Sequence, residues 1–296
     1  MPLTRIALIG VPSSAGGRRT GQEMAPTALR GAHLVESLRA TGLDVTDSGD
    51  LAPAPFRADP DHPRNQNLPL VVDVARQVAD QTDRALADAR VPLVVGGDCS
   101  LSLGVMAGLL RHHARLGLVY FDADLDLNTP ETTQSGIFDG MVLAHALGAG
   151  APELSAIGPR VPMLSEADIV LFGYDLDSGW IDPYEIEALN RSEMSKYPLA
   201  LVRDNPAEAA RDALRGIEGR TDAVLIHFDV DVTNLPAVDV PHPGGLEAAA
   251  AFTALKIFAS AQSCAAVVVT EFNAELDPDG SHAEHLVAGL ARALAP

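Results

Sequence analysis

Three aspartates, Asp122, Asp124 and Asp126, stand at alternate positions in FDADLDLN, directly after the apolar run LGLVYF. A second pair, Asp229 and Asp231 in HFDVDV, follows the run DAVLIHF. Side chains at i, i+2 and i+4 of a strand share one face, which can become a wall of carboxylates where the strand ends. Five aspartates converging with no Lys or Arg among them repel strongly, and one or two divalent cations are the usual remedy. A metal site is therefore the leading expectation.

The elements that must position these groups alternate along the chain. Strand candidates are RIALIGV, VPLVVGG, LGLVYFD, DIVLFGYD, LALV, DAVLIHFD and AAVVVTEF. Helix candidates are PTALRGAHLVESLRA, LPLVVDVARQVADQTDRALADA, LSLGVMAGLLRHHA, DPYEIEALNR, NPAEAARDALRGI, LEAAAAFTALKIFASA and HAEHLVAGLARALA. Pro26 and Pro206 sit where a first helical turn accepts proline. Strands followed by helices imply parallel pairing, and near-continuous apolar strands imply burial on both faces. The expectation is one three-layer α/β/α domain over residues 1–296, with a mostly parallel central sheet. The proline-rich stretch from Leu51 to Pro69 reads as a surface loop. Asp98, Asp122, Asp175, Asp229 and Glu271 all fall at C-terminal strand ends, the edge where open parallel sheets place their ligands. Any one of them alone reads equally well as a cap or loop residue.

The 296 residues carry 21 Lys+Arg against 40 Asp+Glu, a formal net charge of −19. No basic stripe is available to neutralise phosphates, so nucleic acid is excluded as a partner, and an anionic membrane surface is disfavoured. A cationic small substrate fits the field. Cys99 and Cys264 do not make a disulfide framework, and the N-terminal apolar stretch is too short for a signal peptide. The expected compartment is the cytoplasm.

The motifs occur in a telling order: GGDCS, DADLDLN, FGYDLD, FDVDV and TEFN. Together they resemble the ureohydrolase family of arginase and agmatinase, whose signatures are GGDHS, DAHxDxN, FDVD and EVNP. The opening IGVPSSAGGRRTGQEMAPTALRGAHL resembles the arginase opening. DADLDLNTPETTQSGIFDG aligns without a gap on the arginase pattern DAHTDxNTPxTTxSGNLHG. The resemblance covers nearly the whole chain. It implies two divalent ions, Mn(II) in the family, that activate water to hydrolyse a guanidino group. By position, Asp122 and Asp229 would bridge the ions. Cys99 and Asp126 would complete one ion's shell, and Asp124 and Asp231 the other's. Glu271 matches the residue that holds the guanidinium, Asn128 and Ser135 those that take the α-carboxylate, and Asp177 the one that takes the α-amino group. The resemblance also implies trimers or hexamers.

The departures are as informative. Cys99 and Asp124 replace the two metal-binding histidines, and Asp139 replaces the histidine that shuttles protons. Ile137 stands in place of an asparagine. The loop TNLPAVDVPHPGGL is short and lacks the family's TGTP, but it brings in His242, a candidate substitute shuttle. Five aspartates and a thiolate carry six negative charges against four positive. Such a cluster is a weaker Lewis acid and lowers the pKa of bound water less. Oxygen ligands suit Mn(II), whereas a thiolate at the Cys99 site draws towards zinc or iron. Cys99 reads alternatively as a small buried apolar residue in a site that has lost a metal.

Retained Asn128, Ser135, Asp177 and Glu271 point to an α-amino acid with a guanidino end. The altered metal shell points away from ordinary arginine. Nω-hydroxy-L-arginine, cleaved to hydroxyurea and L-ornithine as family members do in antibiotic biosynthesis, is the favoured substrate. Ordinary arginase or guanidino-acid hydrolysis is one alternative, and a non-enzymatic, metal-poor binding protein another. His112, His113, His282 and His285 sit in helical patterns as surface or packing residues, and Cys264 has no assigned role.

Overall fold

Eight parallel strands form one sheet in the order β2-β1-β3-β8-β7-β4-β5-β6. They are β1 (Arg5–Gly10), β2 (Asp44–Asp50), β3 (Val91–Val95), β4 (Leu116–Phe121), β5 (Ile169–Phe172), β6 (Ser195–Tyr197), β7 (Ala223–Asp229) and β8 (Cys264–Thr270). The coordinates are a computed structural model that describes residues 3–296. Strands β4, β5, β7 and β8 are buried along their whole length, as strands covered on both faces must be. Edge strand β2 is the contrast: only Val45 of DVTDSGD is buried.

Side-chain alternation sends each strand into two cores. Val224, Ile226 and Phe228 of β7 enter one, and Ala223 and Leu225 the other. The first core lies under α1 (Ala25–Gly31), α2 (Leu34–Ala40), α8 (Leu199–Asp204), α9 (Pro206–Glu218), α10 (Ala248–Ala259) and α11 (Ser281–Leu294). The second lies under α3 (Leu68–Ala87), α4 (Leu101–Leu109), α5 (Val142–Ala146), α6 (Pro152–Ser155) and α7 (Pro183–Arg191). Phe121 anchors the first core, with its ring 4.9 Å from Phe172 and 5.3 Å from Phe228. Each such fully buried side chain contributes about 1.5–3 kcal/mol. The result is the expected α/β/α layering with an entirely parallel sheet.

Several local expectations are corrected. LALV is not a strand but the start of α8; the strand is the preceding SKY, paired to β5. The single helix expected over PTALRGAHLVESLRA breaks in two at His33, whose φ is 64°. Polar β2 and the short helices α5 and α6 carry too little periodic signal to be read from sequence. Residues 51–67 form the expected loop, tied down by a bridge between Ser13 and Ala54.

One turn decides where the chemistry sits. After β3 the chain passes through Gly97 at φ 83°, and a Cβ there would lie 2.9 Å from the Ser13 carbonyl oxygen. Only glycine permits that approach without strain. Asp98 then accepts Gly16 N–H at 3.0 Å and the Ser100 N–H at 3.1 Å, clamping the N-terminal loop to the start of α4.

Candidate metal centre and substrate cavity

The C-terminal ends of the four central strands deliver the reactive groups side by side. In spatial order, Cys99 follows β3, Glu271 follows β8, Asp229 ends β7 and Asp122 follows β4. Cys99 Sγ lies 2.7 Å from Asp229 Oδ2, 3.5 Å from Thr270 Oγ1 and 4.0 Å from Asp122 Oδ2. His227, two residues before Asp229 on the same strand face, brings Nε2 to 3.4 Å from Asp122 Oδ2. Its Nδ1 lies 2.7 Å from Ser102 Oγ. Cys99, Asp122, His227 and Asp229 are all buried, and their ligand atoms lie within 4.8 Å of one another.

A second group adjoins the first. Asp124, Asp231 and His242 also gather ligand atoms within 4.8 Å. His242 Nε2 is 3.8 Å from Asp124 Oδ2 and 3.9 Å from Asp231 Oδ2. The two strand-end aspartates turn the chain so that these residues meet. Asp122 Oδ1 accepts Asp124 N–H at 2.7 Å, and Asp229 Oδ1 accepts Asp231 N–H at 2.7 Å.

Asp124 Oδ1, Asp231 Oδ1, His227 Nε2 and His242 Nε2 are buried polar atoms without a hydrogen-bond partner. Each unsatisfied atom costs about 1–3 kcal/mol. Lone pairs of this kind, pointed at one another across two groups, are what cations satisfy. The residues present fit two divalent ions.

Burial dominates the titration of the cluster. It pushes the Cys99 thiol well up, with Asp229 and Asp139 adding to the effect. Burial first, then neighbouring carboxylates, raise Asp126, Asp229, Asp231 and Glu271 well above the carboxylate range. Asp139 is pushed up to about 7 by burial and by Asp98, against the opposing hydrogen bond from Cys99 N–H. A bound cation reverses this logic and favours every anion around it.

The expected site residues separate into those the fold gathers and those it does not. Cys99, Asp122, Asp124, Asp229 and Asp231 converge as described. Asp126 joins neither group: its carboxylate accepts the Tyr120 hydroxyl, and its backbone sits at φ 48°. Glu271, also left-handed at φ 69°, accepts Gln22 Nε2 and gathers with Cys99 and Asp139. Asp139 accepts Cys99 N–H at 2.8 Å.

Asp124, Asp126, Asn128, Ser135, Ile137 and Asp139 line a cavity of about 300 Å³. Arg18, Trp180, Asp182 and Glu185 also line it, and Arg18 lies 5.2 Å over the Trp180 ring. Asp177 does not line this cavity; it is exposed, and its N–H donates to Asp175. Asp182 is the aspartate that reaches the wall, 3.4 Å from Asn128 Nδ2.

Sequence reasoning missed His227, Asp182 and Arg18. The signal for His227 was its i, i+2 spacing to Asp229. For Asp182 it was DPYE, a capping box that opens α7 at the cavity.

The chain matches the Arginase family over residues 4–295. It is 32% identical over 292 residues to the arginase of Bacillus caldovelox, covering 96% of this chain and 95% of the relative. A solved native structure of the Bacillus caldovelox arginase superposes with a TM-score of 0.90 at 31% identity, covering 99% of each chain. The arginase structure from Bacillus cereus gives 0.89 at 29% identity, again over 99% of each.

Proposed function

This chain belongs to the arginase family, and on that premise we propose that it hydrolyses the guanidino group of an arginine-like amino acid, with Nω-hydroxy-L-arginine as substrate and hydroxyurea and L-ornithine as products. One observation carries the reading. Two adjoining groups of acids open, through the half-buried Asp124, on a cavity whose wall also holds Asn128, Ser135, Asp182 and Arg18.

Two divalent ions held by these groups would supply Lewis acidity and water of lowered pKa. Cys99, Asp122 and Asp229 would hold one, and Asp124 and Asp231 the other with Asp122 and Asp229 shared. Oxygen ligands suit Mn(II) at the second position; the Cys99 thiolate suits zinc or iron at the first.

The remaining residues would bind, orient and move protons. Asn128 Nδ2, Ser135 Oγ and the Arg18 guanidinium offer donors to an α-carboxylate. Asp182 offers an acceptor to the α-amino group, in the role the sequence alone gave to Asp177. Asp139, which accepts Cys99 N–H and gathers with Glu271, would take up a proton and release it to a leaving amine. Glu271, which gathers with Cys99 and Asp139 and does not itself line the cavity, would receive the guanidino end.

The preference for a hydroxyguanidine follows from charge. A crowded anionic shell makes a weaker Lewis acid, and the hydroxyl lowers the basicity of the group attacked. Ordinary arginine hydrolysis is the competing reading, favoured by relatives named arginase at 30% identity and above. Steady-state kinetics decide between them on one enzyme preparation. A kcat/KM higher for Nω-hydroxy-L-arginine than for L-arginine supports the proposal, and the reverse order sinks it.

A further inference from the structure

We propose that His227 and His242 are metal ligands, one for each ion, standing in for the two histidines that this chain lacks at positions 99 and 124. The inference rests on the two-metal reading above and deepens it.

Both imidazoles are enclosed, with 0% of His227 and 3% of His242 exposed. In each, Nε2 is buried and has no hydrogen-bond partner, although carboxylate oxygens lie near it. No hydrogen bond closes the gaps between them. His227 Nε2 stops 3.4 Å from Asp122, and His242 Nε2 stops 3.8 and 3.9 Å from Asp124 and Asp231. An N–H donor closes to 2.7–3.2 Å on a carboxylate. A nitrogen lone pair sharing a cation with those oxygens stands off in this way.

The surroundings of His227 support the role. Its Nδ1 is anchored 2.7 Å from Ser102 Oγ. A metal-binding imidazole is commonly oriented by a hydrogen bond at its other nitrogen. With Ser102 accepting Nδ1–H, the Nε2 lone pair faces Cys99, Asp122 and Asp229. Tyr120 stacks on the same ring, and its hydroxyl occupies Asp126. One residue thus seats His227 and draws aside the aspartate that the family resemblance would place on this ion. The exchange leaves sulfur, nitrogen and two carboxylates at the first position, a borderline-soft set. The second position keeps nitrogen with carboxylate oxygens.

Cobalt(II) tests the assignment without reference to turnover. The intact protein is stripped with a chelator, loaded with cobalt, and assayed by elemental analysis, near-ultraviolet absorption and X-ray absorption. The expected wild-type result is about two cobalt per chain, a thiolate-to-cobalt charge-transfer band and imidazole scattering. In His227→Asn the cobalt content should fall to about one per chain with the thiolate band lost. In His242→Asn it should fall equally with that band kept. A wild-type spectrum without imidazole overturns the proposal, and this reading needs no variant to fold. Variants that keep both ions and an unchanged spectrum also overturn it. The same wild-type sample is then assayed on guanidino amino acids. Two imidazole-bound ions without turnover uphold the ligands and sink the proposed reaction. Turnover with no imidazole in the spectrum does the opposite.

Discussion

Tyr120 lies flat on His227, with ring centroids 4.2 Å apart and planes within 8° of parallel. The two are register partners on the adjacent strands β4 and β7. The stack therefore lies two residues below Asp122 on one strand and Asp229 on the other, and it fixes the floor on which the acidic groups stand. Tyr120→Phe keeps the stack but leaves the buried Asp126 carboxylate without its donor. Urea unfolding should show a loss of about 1–3 kcal/mol. An unchanged midpoint and slope would show that the hydroxyl contributes nothing there.

His145 predicts a pH dependence away from the acidic groups. Its Nδ1–H donates to the Met141 carbonyl at 2.7 Å, and its Nε2 accepts Ala151 N–H at 3.0 Å. Burial pushes its pKa below the ordinary 6.5. Between the folded and unfolded values the unfolded chain binds the extra proton, so stability rises with pH across that window. The contribution is fully present above 6.5 and lost as pH falls through the folded value. His145→Gln should flatten this part of the acid limb in unfolding measured from about pH 5 to 7.5. A parallel displacement of the whole curve would assign the limb to other groups.

Cation removal should destabilise the fold as well as silence it. A ligand that binds only the native state stabilises it by about 2.7 kcal/mol at 100 times its Kd. Chelator treatment should lower the thermal midpoint, and manganese, zinc or cobalt should restore it in a concentration-dependent way. A midpoint indifferent to chelator and to added ions would argue against any native-state metal site.

The cavity separates two aspartates that look alike in sequence. Asp182→Asn retains oxygen for capping α7 but removes the charge facing the cavity. A charged hydrogen bond is worth about 1.5–3 kcal/mol, so kcat/KM for an α-amino substrate should fall roughly ten- to hundredfold. Asp177→Asn, at an exposed position off the cavity, should stay within about twofold. The reverse ranking would return the amino-group role to Asp177.

The sheet and the convergence of the strand-end carboxylates were legible because each left a periodic mark. The buried strands are unbroken apolar runs, and Asp122, Asp124, Asp229 and Asp231 stand at the points where those runs stop. What was not legible depended on which way a face pointed. His227 has the same two-residue spacing to Asp229 whether it meets solvent, core or the acidic cluster; only the packing of α4 and Ser102 over that face places it beside Asp122. Asp177 and Asp182 flank one loop, and its path, not its composition, decides which enters the cavity. LALV is a short apolar run without its own periodicity, but Leu199, Ala200 and Leu201 are strong helix formers, and the segment folds as α8 with Leu199 and Val202 packed into the first core.

The order of the sheet also has a consequence for how the chain assembles. Strands β1 to β3 and β4 to β6 make two three-stranded pieces, and β7 and β8, from residues 223 to 270, fill the gap between them. On the ribosome those pieces must wait, each with an apolar inner edge at β3 or β4 lacking its neighbour. The middle of the sheet is thus made of the last two strands to be synthesised, and pulse-labelled hydrogen exchange during refolding should find the pairing of β8 with β3 among the late-protected amides. A ribosome-stalled chain ending before β8 would be the form most in need of a chaperone.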